Sequence, residues 1–398
     1  MSNSTVAIAI GFMLFFASGT AFIIVNDPGE RDNSPTISVL AMVNAEGSGI
    51  FSSDKNLDID NKEGWGGKTF MTPGAGSIQH EMLKSLAQNF NMKFTSGTGS
   101  DKDTIYWAGV APGLMALSWE TGEYDGGIVW EPWFTSIIDS YSNAFKIATT
   151  DEIEPGHPCC MISADNNFLK NNEELTIRFL LAYIHAVEWV NDAIAKGRSS
   201  PEYLALEKVA WDKAFGRTVT PTASDKQMIW DALTNITYEY NIDSGIVGAG
   251  LKKYTAELIN RFYNSGAIMN KMDDPLTFAD KLINYDFLSN ALDDWDSAAM
   301  KGAYYDPGQA SFGTVRMAVL QLDLHQIAVR VAMEKNLFSE LDAAFPPNTS
   351  LFDAYGVNIS LAALQPNGPG VMNLFAAGEI DIGVLGLPPI VIRTANGL

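Results

Sequence analysis

The chain has 398 residues, with 47 Asp or Glu against 26 Lys or Arg, so its formal net charge is −21. This charge excludes nucleic acid and anionic lipid surfaces as main partners, because both bind basic protein surfaces. The length predicts two or three domains, and the 46% of hydrophobic and 18% of charged residues predict packed cores rather than disorder.

The first feature along the chain is an apolar segment, residues 6–25, that contains no charged residue. Twenty apolar residues are long enough for a helix to span a bilayer. We therefore predict a hydrophobic transmembrane or assembly helix over residues 1–26, a linker over residues 27–35, and a soluble part at the cell surface, outside the cell. A cleaved signal peptide is the alternative, although residues 1–4 lack the basic start of such peptides.

The same segment also favours a second interpretation, because it is rich in small residues. Such residues let apolar helices pack closely against one another. The partner of residues 5–25 is thus either the membrane or copies of this chain. In the second case the protein is a structural filament or lattice subunit whose N-terminal helices form a core. The small residues are Ala7, Ala9, Gly11, Ala17, Gly19 and Ala21.

From residue 36 the chain alternates apolar strands with amphipathic helices, which is typical of an α/β fold with a mostly parallel sheet. The pattern predicts strands over residues 37–43, 68–71, 127–130, 315–320 and 380–385, and helices over residues 78–90, 174–196, 325–341 and 371–377. Residues 200–270 are helix-rich, and residues 296–311, with several Gly and Pro, form a second linker.

The chain also contains an internal repeat. The sequence GEYDGG at residues 122–127 matches GEIDIG at residues 378–383 at a constant shift of 256 residues, and the shift extends to Pro132 and Pro388. Each copy follows an apolar helix that starts at a Pro/Gly pair. The repeat predicts two similar lobes, each with a loop at the carboxyl end of its sheet, where α/β sheets bind ligands.

Several segments resemble the solute-binding proteins of ABC importers, of the nitrate/sulfonate/taurine and thiamine-pyrimidine type. They are residues 66–80, 122–133, 157–160, 324–328 and 378–389. The resemblance covers residues 36–295 and 312–398. It implies a two-lobed, periplasmic-binding-protein-like (type II) fold, a small organic or oxyanionic solute as ligand, an ABC permease as partner, and no enzymatic activity.

The order of these segments differs from that of the family. Residues 312–398 resemble the usual beginning of such a protein, and residues 36–53 resemble what normally follows. The resemblance therefore implies a circular permutation bridged by residues 296–311, with Leu398 close to Thr36. Lobe 1 is predicted to comprise residues 36–59, 155–295 and 312–398, and lobe 2 residues 60–154, with crossovers near residues 48–54 and 160–163.

Ten residues at the expected cleft are predicted to contact the solute. Ser77 follows a Gly-Ala-Gly turn and precedes a helix, so we predict that it is an N-cap beside an anion site. Trp130 offers a stacking face, and His325 opens the helix of the other lobe. The full set is Ser48, Gly76, Ser77, Ile78, Trp130, Glu131, His325, Gln326, Gly386 and Leu387.

The sequence gives few signs of a disulfide, a metal site or a catalytic motif. Adjacent Cys159 and Cys160 rarely form a disulfide without strain, and we expect buried packing rather than a metal site. The sequence has no Gly-x-Ser-x-Gly, P-loop or His-Glu-x-x-His motif, so we expect no cofactor and no catalysis; an enzyme of the related pyrimidine-synthesis type is a third possibility. Asn235, Asn348 and Asn358 begin glycosylation sequons.

Overall fold

A five-stranded sheet joins strands from both ends of the chain. The computed structural model describes residues 35–241, 250–297, 304–308, 310–343 and 345–398. In this sheet the strands lie in the order β1, β9, β13, β11, β12. Strands β11, β12 and β13 run parallel, while β9 is antiparallel to both β1 and β13. The strands are β1 (Ile37–Met42), β9 (Cys160–Asp165), β11 (Gly313–Ala318), β12 (Val357–Leu361) and β13 (Ile382–Gly386).

A six-stranded sheet is formed by the middle of the chain, in the order β5, β6, β4, β7, β3, β8. Strands β4 to β7 are parallel, and β3 is antiparallel to both of its neighbours. These strands are β3 (Ser48–Ser52), β4 (Thr69–Thr72), β5 (Lys93–Ser96), β6 (Thr104–Gly109), β7 (Gly126–Trp130) and β8 (Phe145–Thr149). A separate antiparallel pair joins β2 (Asn44–Glu46) to β10 (Ile236–Tyr238).

Helices cover the faces of both sheets. The long helix α6 is buried along much of its length: Phe179 stacks on Phe352, and the Tyr183 hydroxyl donates to the carbonyl of Met42 at the end of β1. In chain order the described helices are α1 (Ile78–Asn89), α2 (Pro112–Glu120), α3 (Trp133–Ser140), α4 (Thr150–Ile153), α5 (Asn166–Asn171), α6 (Glu173–Lys196), α7 (Pro201–Val209), α8 (Ala223–Thr234), α9 (Gly250–Ser265), α10 (Pro275–Leu282), α11 (Asp286–Asp296), α12 (Ile327–Met333), α13 (Leu337–Leu341), α14 (Leu351–Ala354), α15 (Gly368–Ala376) and α16 (Leu387–Ala395).

The chain crosses between the two sheets twice. The first crossing lies between β2 and β3, at Gly47, and the second lies between β8 and β9. We call residues 48–154 the six-stranded lobe, and the described residues 35–47 and 155–398 the five-stranded lobe. The first crossing comes earlier than the predicted boundary at residue 59, because residues 48–52 pair with β7 and β8.

The helix predicted over residues 325–341 is wrong, because the structure divides it. A short 3₁₀ turn, Leu324–Gln326, leads into α12, and α13 begins only at Leu337. Between them Asn336 has φ +72°, a left-handed conformation that interrupts the helical hydrogen bonds and that Asn tolerates better than most residues.

The predicted N-terminal helix, with almost all of the linker after it, lies outside the described residues. Among the described helices, none combines the length and the apolar composition that crossing a membrane requires. Strands β1 and β13 both pair with β9, which brings the segment after the linker and the C-terminal segment into one sheet. The closeness of Leu398 to Thr36 and the permuted order remain predictions.

The internal repeat extends to the structure at the same shift of 256 residues. Helices α2 and α15 correspond in length, strands β7 and β13 correspond in both bounds, and Gly122 and Gly378 have φ +72° and +67°. In each copy one acid closes the turn: Asp125 accepts a hydrogen bond from the Thr69 backbone N–H, and Asp381 accepts one from that of Arg316, both at 2.8 Å.

We expect Asp381→Ala to lower the free energy of unfolding by about 1–3 kcal/mol. Asp381 is buried and also accepts from the Arg316 guanidinium, so its removal leaves charged and backbone donors without their acceptor. Urea unfolding measures the change. Glu379 lies exposed in the same turn, and Glu379→Ala, as the control, should change stability by less than about 0.5 kcal/mol. Equal losses in both variants would contradict the role of Asp381.

Candidate functional site

A cavity of about 320 Å³ lies between the two lobes, at the carboxyl ends of their parallel strands. This is where α/β sheets place their ligand sites, because the loops after parallel strands converge on that edge. From the six-stranded lobe the cavity is lined by the segments after β4 and β6 and by the end of β7. From the five-stranded lobe it is lined by the start of β9 and by the segments after β11, β12 and β13. The lining includes Gly76, Ser77, Ile78, Gln79, Pro112, Trp130, Cys159, Cys160, Asp323, His325, Asn367, Gly386 and Pro388.

The N-termini of four helices, α1, α2, α15 and α16, face this cavity. Each helix terminus carries a partial positive charge, so together they favour an anionic group. Three of these helices have proline in the first turn, namely Pro112, Pro369 and Pro388, and proline has no backbone N–H to donate. Each of these prolines removes one hydrogen-bond donor, whereas α1 has no proline in its first turn and keeps all of its N-terminal N–H groups.

Ser77 caps α1 as predicted from the sequence. Its Oγ accepts a hydrogen bond from the His80 backbone N–H at 3.1 Å and donates one to the Gly74 carbonyl at 2.9 Å. The first helical bond runs from the Glu81 N–H to the Ser77 carbonyl. The N–H groups of Ile78 and Gln79 precede that bond, so the helix itself does not use them, and they lie at the cavity.

The remaining wall of the cavity is largely apolar. Prolines from both lobes contribute to it, and Trp130 lies at the end of β7. The indole Nε1 of Trp130 is buried and has no hydrogen-bond partner among the described residues. An unpaired buried donor costs about 1–3 kcal/mol, so a solute acceptor near this group would be stabilised.

The floor of the cavity is formed by His325, Asp323 and the two cysteines, all of them buried. The Nε2–H of His325 donates to the Gly47 carbonyl at 2.7 Å, and its Nδ1 lies 3.5 Å from an oxygen of Asp323. Burial lowers the pKa of His325, but the Asp323 carboxylate and the Cys160 thiol raise it to about 9 overall. The imidazolium is thus held as a buried cation beside the cavity.

Six of the ten predicted ligand contacts line this cavity, namely Gly76, Ser77, Ile78, Trp130, His325 and Gly386. The other four, Ser48, Glu131, Gln326 and Leu387, lie behind its wall. Ser48 Oγ accepts from the Gln79 amide at 2.9 Å, Gln326 bonds the Leu320 N–H and the Val384 carbonyl, and the Leu387 N–H donates to the Cys159 carbonyl. These residues position lining residues rather than facing the cavity themselves.

Glu131 is directed away from the cavity, although it follows Trp130. Its carboxylate is fully buried and accepts three hydrogen bonds: from the Thr135 N–H at 3.1 Å, from the Thr135 hydroxyl at 2.7 Å and from the Asn235 amide at 2.9 Å. Asn235 belongs to the five-stranded lobe, so this contact joins the lobes. Burial raises the pKa of Glu131.

Sequence reasoning missed Gln79, Asp323 and Asn367, and it assigned Cys159 and Cys160 to packing alone. Asp323 two residues before His325 was a recognisable signal, because its side chain accepts from the His325 backbone N–H as a helix cap does. Of the three sequons, Asn348 and Asn358 are exposed, whereas the Asn235 amide is engaged by Glu131.

Residues 17–200 match the model of the NMT1-like family. The predicted resemblance to the solute-binding proteins of ABC importers is confirmed. No curated protein matches the chain.

Several solved structures of binding proteins are similar to part of this chain. The ligand-binding component of an ABC-type import system from Staphylococcus aureus, with zinc bound, is 14% identical, with TM-score 0.46, covering 65% of this chain and 75% of that one. The periplasmic nitrate-binding protein from Synechocystis PCC 6803 is 17% identical, with TM-score 0.49, covering 67% and 70%. The periplasmic aliphatic sulphonate binding protein from Escherichia coli is 14% identical, with TM-score 0.42, covering 62% and 73%.

Proposed function

We propose that this chain is an extracytoplasmic solute-binding protein that closes around a small organic or oxyanionic solute for ABC-type uptake. The observation that carries the proposal is the cavity between the lobes, because four helix N-termini and an apolar wall converge on it. The family match of residues 17–200 supports the same class of protein.

The chemistry of the cavity favours a solute that has an anionic group at one end and an apolar group at the other. An anionic group would be bound at the start of α1 by the N–H groups of Ile78 and Gln79, with the imidazolium of His325 nearby. The apolar remainder would pack against the prolines and the ring of Trp130. A nitrate, sulfonate or carboxylate group meets the first requirement, and a short carbon skeleton meets the second.

Closure would follow from rotation of the lobes about the two crossings of the chain. A solute that contacts both lobes stabilises the closed arrangement over the open one. On the crossing side the lobes are also joined by two hydrogen bonds to Glu131, from the Leu324 N–H to its carbonyl and from the Asn235 amide to its carboxylate. These bonds would keep the pivot fixed while the opposite side opens.

Residues 5–25 would anchor the protein to the membrane, with the described part outside the cell, beside an ABC permease. The permuted order, in which residues 312–398 correspond to the start of the family and residues 36–295 follow, belongs to this proposal. The rival function, a filament or lattice subunit, depends on packing of residues 5–25, which lie outside the described residues.

Solute binding is tested by adding nitrate, methanesulfonate, taurine and a pyrimidine to the purified full chain, with affinity from calorimetry and closure from small-angle scattering. We expect one of these probes to bind and to reduce the radius of gyration. Trp130→Ala should weaken that binding about tenfold, since the loss of an aromatic contact costs about 1.4 kcal/mol.

The matched control is Trp230→Ala, because Trp230 lies on α8 against Tyr203 and away from the cavity. It should leave affinity unchanged. If no probe binds and the scattering shows no second state, the proposal fails. If binding occurs but both variants weaken it equally, the solute lies outside this cavity.

A further inference from the structure

The floor of the cavity contains a group of metal-ligating side chains, of which the proposed function uses only the charge of His325. The thiols of Cys159 and Cys160 and one ring nitrogen of His325 all lie within 4.8 Å of one another. Both cysteines are free, and all three residues are buried yet line the cavity. An ion could therefore reach these three side chains from the cavity.

The orientation of His325 is that of a metal ligand. Its Nε2 is occupied by the Gly47 carbonyl at 2.7 Å, and its Nδ1 lies 3.5 Å from Cys159 Sγ. Histidines that bind metals usually donate their other ring N–H to a carbonyl or carboxylate, which fixes the ring and leaves one nitrogen for the ion. Glycine at position 47 leaves room for the ring in this position, because a Cβ there would lie 2.5 Å from His325 Nε2.

The two thiols are held on the same side by their backbones. Successive residues within a strand point to opposite faces, but Cys159 precedes β9 and is not bound by that alternation. The Cys159 N–H donates to the Asn44 carbonyl at 3.0 Å, and the Cys160 N–H donates to the Asn44 side-chain oxygen at 3.1 Å. Asn44 is itself buried, so it fixes both residues.

Asp323 supplies negative charge beside the thiols. One of its oxygens lies 3.9 Å from Cys160 Sγ, and the other accepts from the His325 backbone N–H at 2.9 Å. The Asp323 carboxylate is already fixed in place, so its negative charge would stabilise a cation bound by the thiols. It would act either on the cation directly or by a hydrogen bond to one of the ligands.

We propose that Cys159, Cys160 and His325 bind one thiophilic transition-metal ion, such as Zn²⁺, in the floor of the cavity. Two sulfurs and one imidazole favour zinc or copper over magnesium or calcium, which prefer oxygen ligands. Binding forms two metal–sulfur bonds and one metal–nitrogen bond and releases three protons to solvent, one from each thiol and one from Nδ1 of the His325 imidazolium. Three protein ligands leave a position open toward the cavity, as in zinc sites that exchange a fourth ligand.

Cobalt titration of the tag-free full chain tests this inference without any solute. We expect one Co²⁺ per chain, with the sulfur-to-cobalt absorption of thiolate ligands, and displacement by Zn²⁺. Cys160→Ser and His325→Gln should each weaken binding by at least about tenfold, because even indirect partners of metal ligands contribute that much. Met161→Leu, the next residue in β9 and also buried, is the matched control and should bind as the wild type does.

A second measurement does not depend on any variant folding. Zn²⁺ should slow the alkylation of both cysteines in the wild-type chain, read by mass spectrometry, while Mg²⁺ should not. The inference is overturned if cobalt gives no sulfur absorption, or if zinc leaves the alkylation rate unchanged. It is also overturned if folded Cys160→Ser binds as tightly as Met161→Leu. Solute binding with no metal binding would overturn this inference alone.

Discussion

Glu131→Ala should lower the free energy of unfolding by about 2–4 kcal/mol. Glu131 is fully buried, and its carboxylate accepts three hydrogen bonds, two from Thr135 and one from Asn235. Alanine leaves these donors without an acceptor and leaves a cavity in place of the side chain, and each effect costs one or more kcal/mol. Urea unfolding of the full chain measures the loss.

Two further variants serve as comparisons for Glu131→Ala. Glu131→Gln keeps one oxygen acceptor of similar size and should lose only about 1–2 kcal/mol. Glu123→Ala removes an exposed acid of the same lobe and should change stability by less than about 0.5 kcal/mol. Since Glu131 does not line the cavity, the Gln variant should bind a solute as the wild type does. A stable Glu131→Ala that has lost solute binding would instead make Glu131 a ligand contact.

His80→Gln should make the protein less sensitive to acid. Burial, with a smaller contribution from the charge of Lys84, lowers the pKa of His80 to about 4 from its ordinary value of 6.5. The ring is enclosed by Phe94 and Trp107, and its Nδ1 lies 3.3 Å from the Thr72 hydroxyl. As the pH falls below 6.5, the unfolded chain binds a proton at this position before the folded chain does, so stability is lost.

The experiment compares the free energy of unfolding at about pH 7.5 and about pH 5 in both proteins. Linkage predicts that the wild type loses about 2 kcal/mol more than His80→Gln over this interval. Carboxylates that titrate in the same range are present in both proteins and cancel in the difference. Lys84→Gln should reduce the loss by a smaller amount. Equal slopes in the wild type and His80→Gln would contradict a buried neutral imidazole.

The local patterns of the sequence predicted most elements near their observed bounds. The helix predicted over residues 78–90 is observed as α1, Ile78–Asn89, and the helix predicted over residues 174–196 is observed as α6, Glu173–Lys196. Helix periodicity and the Ser77 cap are local properties, so they can be read without the rest of the fold. The break at Asn336 was missed, because apolar periodicity continues on both sides of a single left-handed residue.

The candidate site was predicted in part. Residues at helix starts and strand ends, such as Ser77, Trp130 and Gly386, line the cavity because loops after parallel strands converge there whatever their sequence. Glu131 was misplaced because its side-chain direction depends on Thr135 and Asn235, and Asn235 lies 104 residues away. No local pattern contains that partner.

By itself the sequence determined the α/β class, the repeat at a shift of 256 residues and the helix that begins after Ser77. Each depends on periodicity, caps and turns that involve residues close together in the chain. Only the tertiary structure decided that β1 and β13 flank β9, and that Cys159, Cys160 and His325 meet at the floor of the cleft. The physical reason is that β9 lies more than 100 positions from β1 and from β13, as the two cysteines do from His325. The geometry of these contacts is set by strand pairing and lobe packing rather than by neighbouring residues.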